Sequence, residues 1–394
     1  MSRHWIYHVN VLVMSYRLLQ AVLGIVSWYL QPYLARQRTL IKPSKEQLPG
    51  VTIVCATIGI GTSLKSSIQT WVANSPSAII IVTAPTNFEA VTSALGSLEL
   101  PYLRVMCAPE ANKRVQLSIG FRSCLTDYVA IADDDTIWSR AVLRSLTEPF
   151  LANNKLGAVY PEVKFRANGP SATLWEELAA IRLSGDCFAI RTSVLIDGGI
   201  FCASGTTALY RTAILQDERF LSHFQNKFYG RSRVNAGDDQ TLNSWLCSMG
   251  WDVTIVEDGG PYGCHVLTTP RADWRHVHQL VRWSRSDWLS YTNAICVDRR
   301  IIWRYPFTAL WEVSWCLESF APVVEVITLS AITWDYGVGL LMTLTLLSRL
   351  SRYLPDAITY PRRFLMLPVV IPYVYLVEMV KLYALLTVFN TEWA

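Results

Sequence analysis

Three consecutive carboxylates close an apolar run at Tyr128-Val-Ala-Ile-Ala-Asp133-Asp134-Asp135-Thr136. The run from Tyr128 to Ala132 reads as a buried parallel strand, and its abrupt acidic end would deliver charge to the rim of a sheet. Ligands of open α/β sheets collect outside the carboxyl ends of the strands. In extended backbone, residues i and i+2 share a face, which would point Asp133 and Asp135 together and Asp134 away. Two hard oxygen donors so placed suit Mg2+ or Mn2+ bound jointly with a substrate diphosphate. The plainer alternative is a solvated acidic turn capping a helix that starts near Ser139.

A second carboxylate pair lies in Asn235-Ala236-Gly237-Asp238-Asp239-Gln240-Thr241-Leu242. Leu242, Trp245, Leu246 and Met249 fall at helical spacing, predicting a helix that Gly250 stops. Asp238 is expected to cap it, which leaves Asp239 to project from the first turn. A general base must reach the proton it removes and stay ionised near neutral pH, and the positive end of a helix favours that charge. A merely acidic first turn is the alternative.

The third constellation is His278-Gln279-Leu280-Val281-Arg282-Trp283-Ser284-Arg285-Ser286. On a helix expected from Asp273 to Leu289, Gln279, Arg282 and Trp283 share one face. The planar fork of Arg282 suits phosphate oxygens and could stabilise a departing diphosphate. Trp283 offers a flat ring to a sugar. The segment also reads as an amphipathic helix lying on a membrane, its arginine stems snorkelling.

Alternating elements lead up to these residues. Strands are expected at Val51–Thr57, Ala78–Thr83 and Tyr102–Cys107, and helices at Thr62–Ala73, Phe88–Leu98 and Lys113–Leu125. That alternation predicts βαβ units and a mostly parallel sheet. Farther on, a strand region spans Leu156–Phe165, and a helix at Ala172–Arg182 precedes Gly185-Asp186-Cys187-Phe188. Small residues in the loop Ala203 to Arg211 would let backbone approach a ligand closely.

Across 394 residues, 51% are hydrophobic, and the mean hydropathy is +0.24. Much of that excess sits at the two ends. Residues 9–34 are long enough to span a bilayer, for which ~20 apolar residues suffice, although Arg17 and Gln20 interrupt them. Further apolar blocks lie at Pro306–Ile332, Tyr336–Leu347 and Phe364–Phe389. Basic clusters beside these blocks predict four spans with the large middle region cytosolic, and anionic lipid would attract the same clusters. The expected division is an anchor over 1–35, a catalytic unit over 50–295, and interfacial and membrane segments over 296–394. Nine cysteines with no CxxC pairing fit a reduced compartment. Cys264-His265 lacks the partners a metal site needs. A net charge of +4 is modest and argues against nucleic acid as a partner.

The combination of Asp133-Asp134-Asp135, Gly237-Asp238-Asp239 and Gln279-Leu-Val-Arg282-Trp283 resembles the membrane-embedded family 2 glycosyltransferases. These include hyaluronan, cellulose and chitin synthases and ceramide glucosyltransferase. Gly-Asp-Asp before a helix and Arg-Trp-Ser-Arg-Ser look most like the hyaluronan synthase branch, with a fungal-type relative a further reading. The resemblance implies an α/β catalytic domain of the GT-A (Rossmann-like) type, dependent on Mg2+ or Mn2+. It implies that Asp133 and Asp135 form the metal pair, with Asp133 and Asp134 toward the nucleotide sugar, and that Lys113 contacts the donor. Ser204 and Gly205 would line an acceptor channel, and Asp239 would be the base. Asp238, Gln279, Arg282 and Trp283 would hold diphosphate and acceptor. The implied partners are a UDP-sugar, a growing polysaccharide or a lipid acceptor, and membrane lipids. A homodimer could complete a channel, and the plasma membrane is the expected location, with Golgi or endoplasmic reticulum as alternatives. An inactive sugar-binding scaffold that keeps the fold is the reading from another class. Two departures stand out: Val82-Thr83-Ala84-Pro85 lacks the family's uridine-binding acid, and Cys55-Ala56-Thr57-Ile58-Gly59 replaces its usual opening.

Overall fold

The computed structural model describes residues 3–38, 50–59, 61, 63–167, 169, 171–200, 202–203, 205–226, 228–229, 232–233, 237–257, 263–269, 271–296, 300–331, 336–351 and 353–390. After a leading helix α1 (Arg3–Arg38), the chain alternates as its pattern predicts. It runs through β1 (Val51–Ala56), α2 (Leu64–Val72), β2 (Ala78–Thr83), α3 (Phe88–Gly96), β3 (Leu103–Cys107), α4 (Lys113–Arg122) and β4 (Tyr128–Ala132). Next come β5 (Ile137–Trp138), α5 (Val142–Ala152), β6 (Leu156–Pro161), β7 (Val163–Phe165), α6 (Leu174–Ile196) and β8 (Thr207–Arg211). Short helices α7 (Thr212–Leu215) and α8 (Glu218–Gln225) and a small hairpin of β9 (Phe228–Tyr229) and β10 (Ser232–Arg233) lead to α9 (Asp238–Met249). Strands β11 (Asp252–Val256) and β12 (Val266–Thr268) and the long helix α10 (His276–Cys296) complete this part.

Seven strands form one sheet in the order β11-β6-β8-β4-β1-β2-β3. All its pairings are parallel except those of β8, which runs antiparallel to β4 and β6. The carboxyl ends of six strands and the amino end of β8 therefore share one rim. Strands β1 and β4 are apolar apart from Thr52, because both faces are covered. Val54, Val82, Val129 and Ile131 pack toward α4, α8 and α9. Ile53, Ile79, Ile81 and Ala130 face the opposite layer, with Leu64, Ile68 and Trp71 of α2. A second sheet, β5-β12-β7, stands beside the rim and brings Thr268 near the acidic triplet.

Helix α6 corrects an expected break: it continues through Gly185 and ends only at Ile196. A glycine costs a helix interior about 1 kcal/mol, and the buried run Cys187, Phe188, Ile190 and Val194 offsets this. A capping box between Thr173 and Glu176 fixes its start.

The carboxyl-terminal part is helical: α11 (Arg300–Arg304), α12 (Pro306–Glu318), α13 (Ala321–Ala331), α14 (Tyr336–Leu350), α15 (Leu354–Thr359) and α16 (Leu367–Leu386). Among the described residues, two stretches are long and apolar enough to cross a membrane, His8–Leu30 and Pro361–Leu386. The middle pair of expected spans differs. The block after Pro306 breaks at Ser319-Phe320 into two short helices, and α12 buries Ala309, Trp311 and Trp315. Arg17 and Gln20, the polar interruptions in α1, are turned inward. Arg17 pairs with Glu325, and Gln20 donates to Glu318 at 2.7 Å. Arg349 joins the same network through Glu325 and Glu378. Buried charges held in pairs are compatible with an apolar helix where isolated ones are not.

Candidate active site

Helix α4 starts beside the acidic rim because Asn112 caps it, its Oδ1 accepting from the N–H groups of Arg114 and Val115. Lys113 is thereby the first helical residue, and its Nζ lies 3.0 Å from Asp133 Oδ1 and 3.2 Å from Asp238 Oδ2. One ammonium joins acids more than a hundred residues apart. Burial works against the Lys113 charge, but Asp133 and Asp238 outweigh it and hold its pKa above the ordinary value. Burial pushes Asp133 up while Lys113 pulls it back.

The acidic triplet corrects one expectation. Extended backbone ends at Ala132, and Asp133 to Thr136 form a turn in which the Asp133 carbonyl accepts from the Thr136 N–H at 3.2 Å and its hydroxyl at 2.8 Å. The alternation argued from a strand does not apply within a turn, so each acid finds its own partner. Asp133 meets Lys113, Asp134 accepts from Thr57 Oγ1 at 2.6 Å, and Asp135 accepts from Thr268 Oγ1 at 3.3 Å. Burial, then the charges of Asp133 and Asp134, pushes Asp135 up to about 6.

Helix α9 corrects another. Its cap is Gly237, in the left-handed region at φ 68°, and no side chain caps it; Asp238 is already inside the helix. The reason is competition, since the Asp238 carboxylate is taken by Lys113. The Gly237 carbonyl in turn accepts from Arg114 Nη2 at 2.8 Å. Burial favours the neutral form of Asp238, yet Lys113 and Arg114 outweigh it and lower its pKa. Asp239 diverges from its neighbour: burial, then the Asp238 charge, pushes it up to about 6. Two adjacent acids whose environments drive them apart can take different roles.

The loop before β8 closes over Asp239. A Cβ on Gly205 would lie 3.0 Å from Asp239 Cβ, so a side chain there would press on the Asp239 carboxylate. Ser204 lies outside the described residues. On α10, burial lowers the pKa of Arg282 while the charges of Asp133, Asp238 and Asp239 raise it. Gln279 is partly buried one turn earlier, beside His276. Trp283 packs into the apolar cluster between α6, α10 and α16, with Arg182 over its ring at 5.6 Å and His276 edge-on at 6.4 Å. The structure thus gathers Lys113, Asp133, Asp238, Asp239, Gly205 and Arg282, while Trp283 is engaged by neighbouring helices.

Several site residues escaped the reading of the sequence. Gln116 Nε2 donates to the carbonyls of Thr57 and Val82, tying the ends of β1 and β2. Arg114, fully buried, also reaches Thr241 Oγ1 and the Phe224 carbonyl. The Asn-Lys-Arg tripeptide was a visible signal for Arg114; Thr57 and Thr268 carry none.

The donor set fits a small hard cation. Asp133 and Asp135 are carboxylates at the rim, as Mg2+ or Mn2+ requires. Among the described residues no three His, Cys, Asp or Glu side chains form a metal cage. A cation here would draw its remaining ligands from diphosphate and water.

Residues 49–286, which contain all three motifs, match the family described as Glycosyltransferase like family 2. A type 2 glycosyltransferase of Zymoseptoria tritici is 32% identical over 288 residues, 72% of this chain and 58% of that protein. A hyaluronan synthase of Streptococcus pyogenes is 22% identical over 290 residues, 72% of this chain and 65% of that protein. Among solved structures, a mannosyltransferase from Pyrobaculum calidifontis in complex with GDP-Man and Mn2+ superimposes with a TM-score of 0.61. It covers 96% of this chain and 99% of its own at 14% identity, which speaks to the GT-A-like fold. With the family match spanning more than half its length, the chain belongs to glycosyltransferase family 2.

Proposed function

We propose that the protein transfers a sugar from a nucleotide sugar, with a UDP-sugar as the expected donor, onto a hydroxyl of a growing polysaccharide. The observation that carries this reading is the convergence of Asp133 and Asp238 on Lys113, with Asp239 next in the chain and Arg282 in their field. Lys113 and Arg282 supply positive charge toward a diphosphate, and Asp239 supplies a base. Asp239 takes the proton of the acceptor hydroxyl as its oxygen bonds the anomeric carbon. The bond from that carbon to the diphosphate breaks on the opposite side, so configuration inverts. A divalent cation held by Asp133 and Asp135 would neutralise charge on the leaving diphosphate. The Mn2+ in the mannosyltransferase complex supports that dependence.

The flanking apolar helices support an integral membrane protein with its catalytic part cytosolic. A lipid acceptor reached laterally is the competing reading, and an inactive sugar-binding scaffold is the reading from another class. Purified protein is incubated with a panel of nucleotide sugars and Mn2+, nucleotide release is followed, and products are weighed by mass spectrometry. Polymer supports the proposal, a glycosylated lipid transfers it to the second reading, and no release from any donor favours the scaffold.

A further inference from the structure

Asp239 needs a fixed direction if it is to meet a hydroxyl, and its own motif does not provide one. Gln240, the next residue, contacts it through the main chain and ties the same turn to α10 through its side chain. The Gln240 main-chain N–H donates to Asp239 Oδ1 at 2.8 Å. The Gln240 side-chain amide crosses to α10 and donates to the Asp287 carboxylate. Both Gln240 and Asp287 are buried. The two helices run close here: a Cβ on Gly237 would lie 3.0 Å from Gln240 Oε1 and 3.2 Å from Ser286 Cβ. Burial pushes Asp287 up to about 7, the charges of Arg182 and Lys381 opposing this and those of Asp239 and Asp186 adding to it. Its neighbour Trp288 donates from Nε1 to the Lys381 carbonyl at 2.8 Å, pinning this stretch of α10 to α16.

We propose that Asp287 is a positioning residue for Asp239, acting through the Gln240 amide to lock the first turn of α9 against α10. The lock fixes the direction of the group that takes the proton. The proposal rests on the reading of Asp239 as base. Asp287 lies outside the three sequence motifs. It touches neither donor nor acceptor in this reading, so it affects turnover and not nucleotide affinity.

The test uses the full chain in detergent or nanodiscs. UDP release is measured from UDP-glucose and UDP-N-acetylglucosamine, and UDP affinity by calorimetry with Mn2+. Asp287→Ala removes the acceptor and should lower kcat at least tenfold, since a misplacement of ~1 Å can cost about a hundredfold. Its UDP Kd should stay within about twofold of wild type. Asp287→Asn keeps an oxygen that accepts from Gln240 and should restore kcat to within about threefold. Gln240→Met removes the donor at similar volume and should reproduce the alanine loss, with no further loss in the double variant. Where Asp287→Ala does not fold, Gln240→Met carries the test alone: kcat should fall at least tenfold with the UDP Kd within about twofold, and an unchanged kcat would overturn the proposal.

Equal losses in Asp287→Asn and Asp287→Ala, a fall in UDP affinity that tracks kcat, or additive losses in the double variant would overturn the proposal. Asp239→Asn runs alongside. Turnover retained there removes the base reading itself, whereas an inactive Asp239→Asn with an indifferent Asp287→Ala removes only the lock.

Discussion

Lys113 Nζ lies 3.2 Å from Asp238 Oδ2, so the first acid of the Gly-Asp-Asp motif is an ion-pair partner and not a helix cap. That pairing keeps Asp238 ionised and sets its charge beside Asp239, one cause of the raised proton affinity there. The two acids differ in proton affinity because one is paired with a cation and the other lies buried beside a negatively charged neighbour.

Asp239→Asn should lower kcat by roughly 10²–10⁴, the usual worth of a positioned base. UDP binding with Mn2+ should change little, because Asp133 and Lys113 remain. Turnover near the wild-type rate would remove the assignment.

The same carboxylate predicts a pH profile. Its pKa of about 6 means that the active, deprotonated form is lost as pH falls below that value. Measured from pH 8 downward, kcat should hold and then drop through an acidic limb centred near 6. Lys113 lowers the pKa of Asp239, so Lys113→Met should move the limb upward. A limb that stays put in that variant would contradict the electrostatic account.

Arg282→Ala should reduce kcat by about 10²–10³, the cost of losing one charged donor at a developing anion. Arg282→Lys should recover only part, because an ammonium lacks the planar fork. Full recovery by lysine would mean that charge alone matters at this position.

Chelation should abolish turnover, and added Mn2+ or Mg2+ should restore it. Asp135→Asn should weaken Mn2+-dependent UDP binding in calorimetry while leaving metal-free binding unchanged. Unaltered Mn2+ dependence would exclude Asp135 from the cation site.

Gly237→Ala should destabilise the protein by about 1–2 kcal/mol, since φ is 68° there and L residues pay that much in the left-handed region. Thermal unfolding measures this, and an unchanged midpoint would mean that the α9 start relaxes freely.

The alternating pattern from Val51 to Ala132 was legible because strands covered on both faces and amphipathic helices leave different periodicities. Three motifs in order were legible for the same kind of reason: each is local, and its chemistry lies in adjacent residue types. The directions of the Asp133-Asp134-Asp135 side chains were not. The i, i+2 argument needs extended backbone through Asp135, three residues past the strand's end at Ala132, whereas a turn closed by Thr136 sends each acid to a different partner. The length of α6 was also hidden, because tertiary burial of Phe188 and Ile190 overrode the local signal of Gly185.

By itself the sequence determined the α/β alternation and the family, and it singled out the acids, lysine and arginine proposed to carry the chemistry, since composition and spacing are properties of a chain. Only the tertiary structure decided that Asp238 pairs with Lys113, that Gly205 closes on Asp239, that Trp283 is engaged by Arg182, and that Asp287 reaches Gln240. Those are contacts between segments far apart in sequence. Their geometry depends on how helices and strands pack, and no local pattern records that.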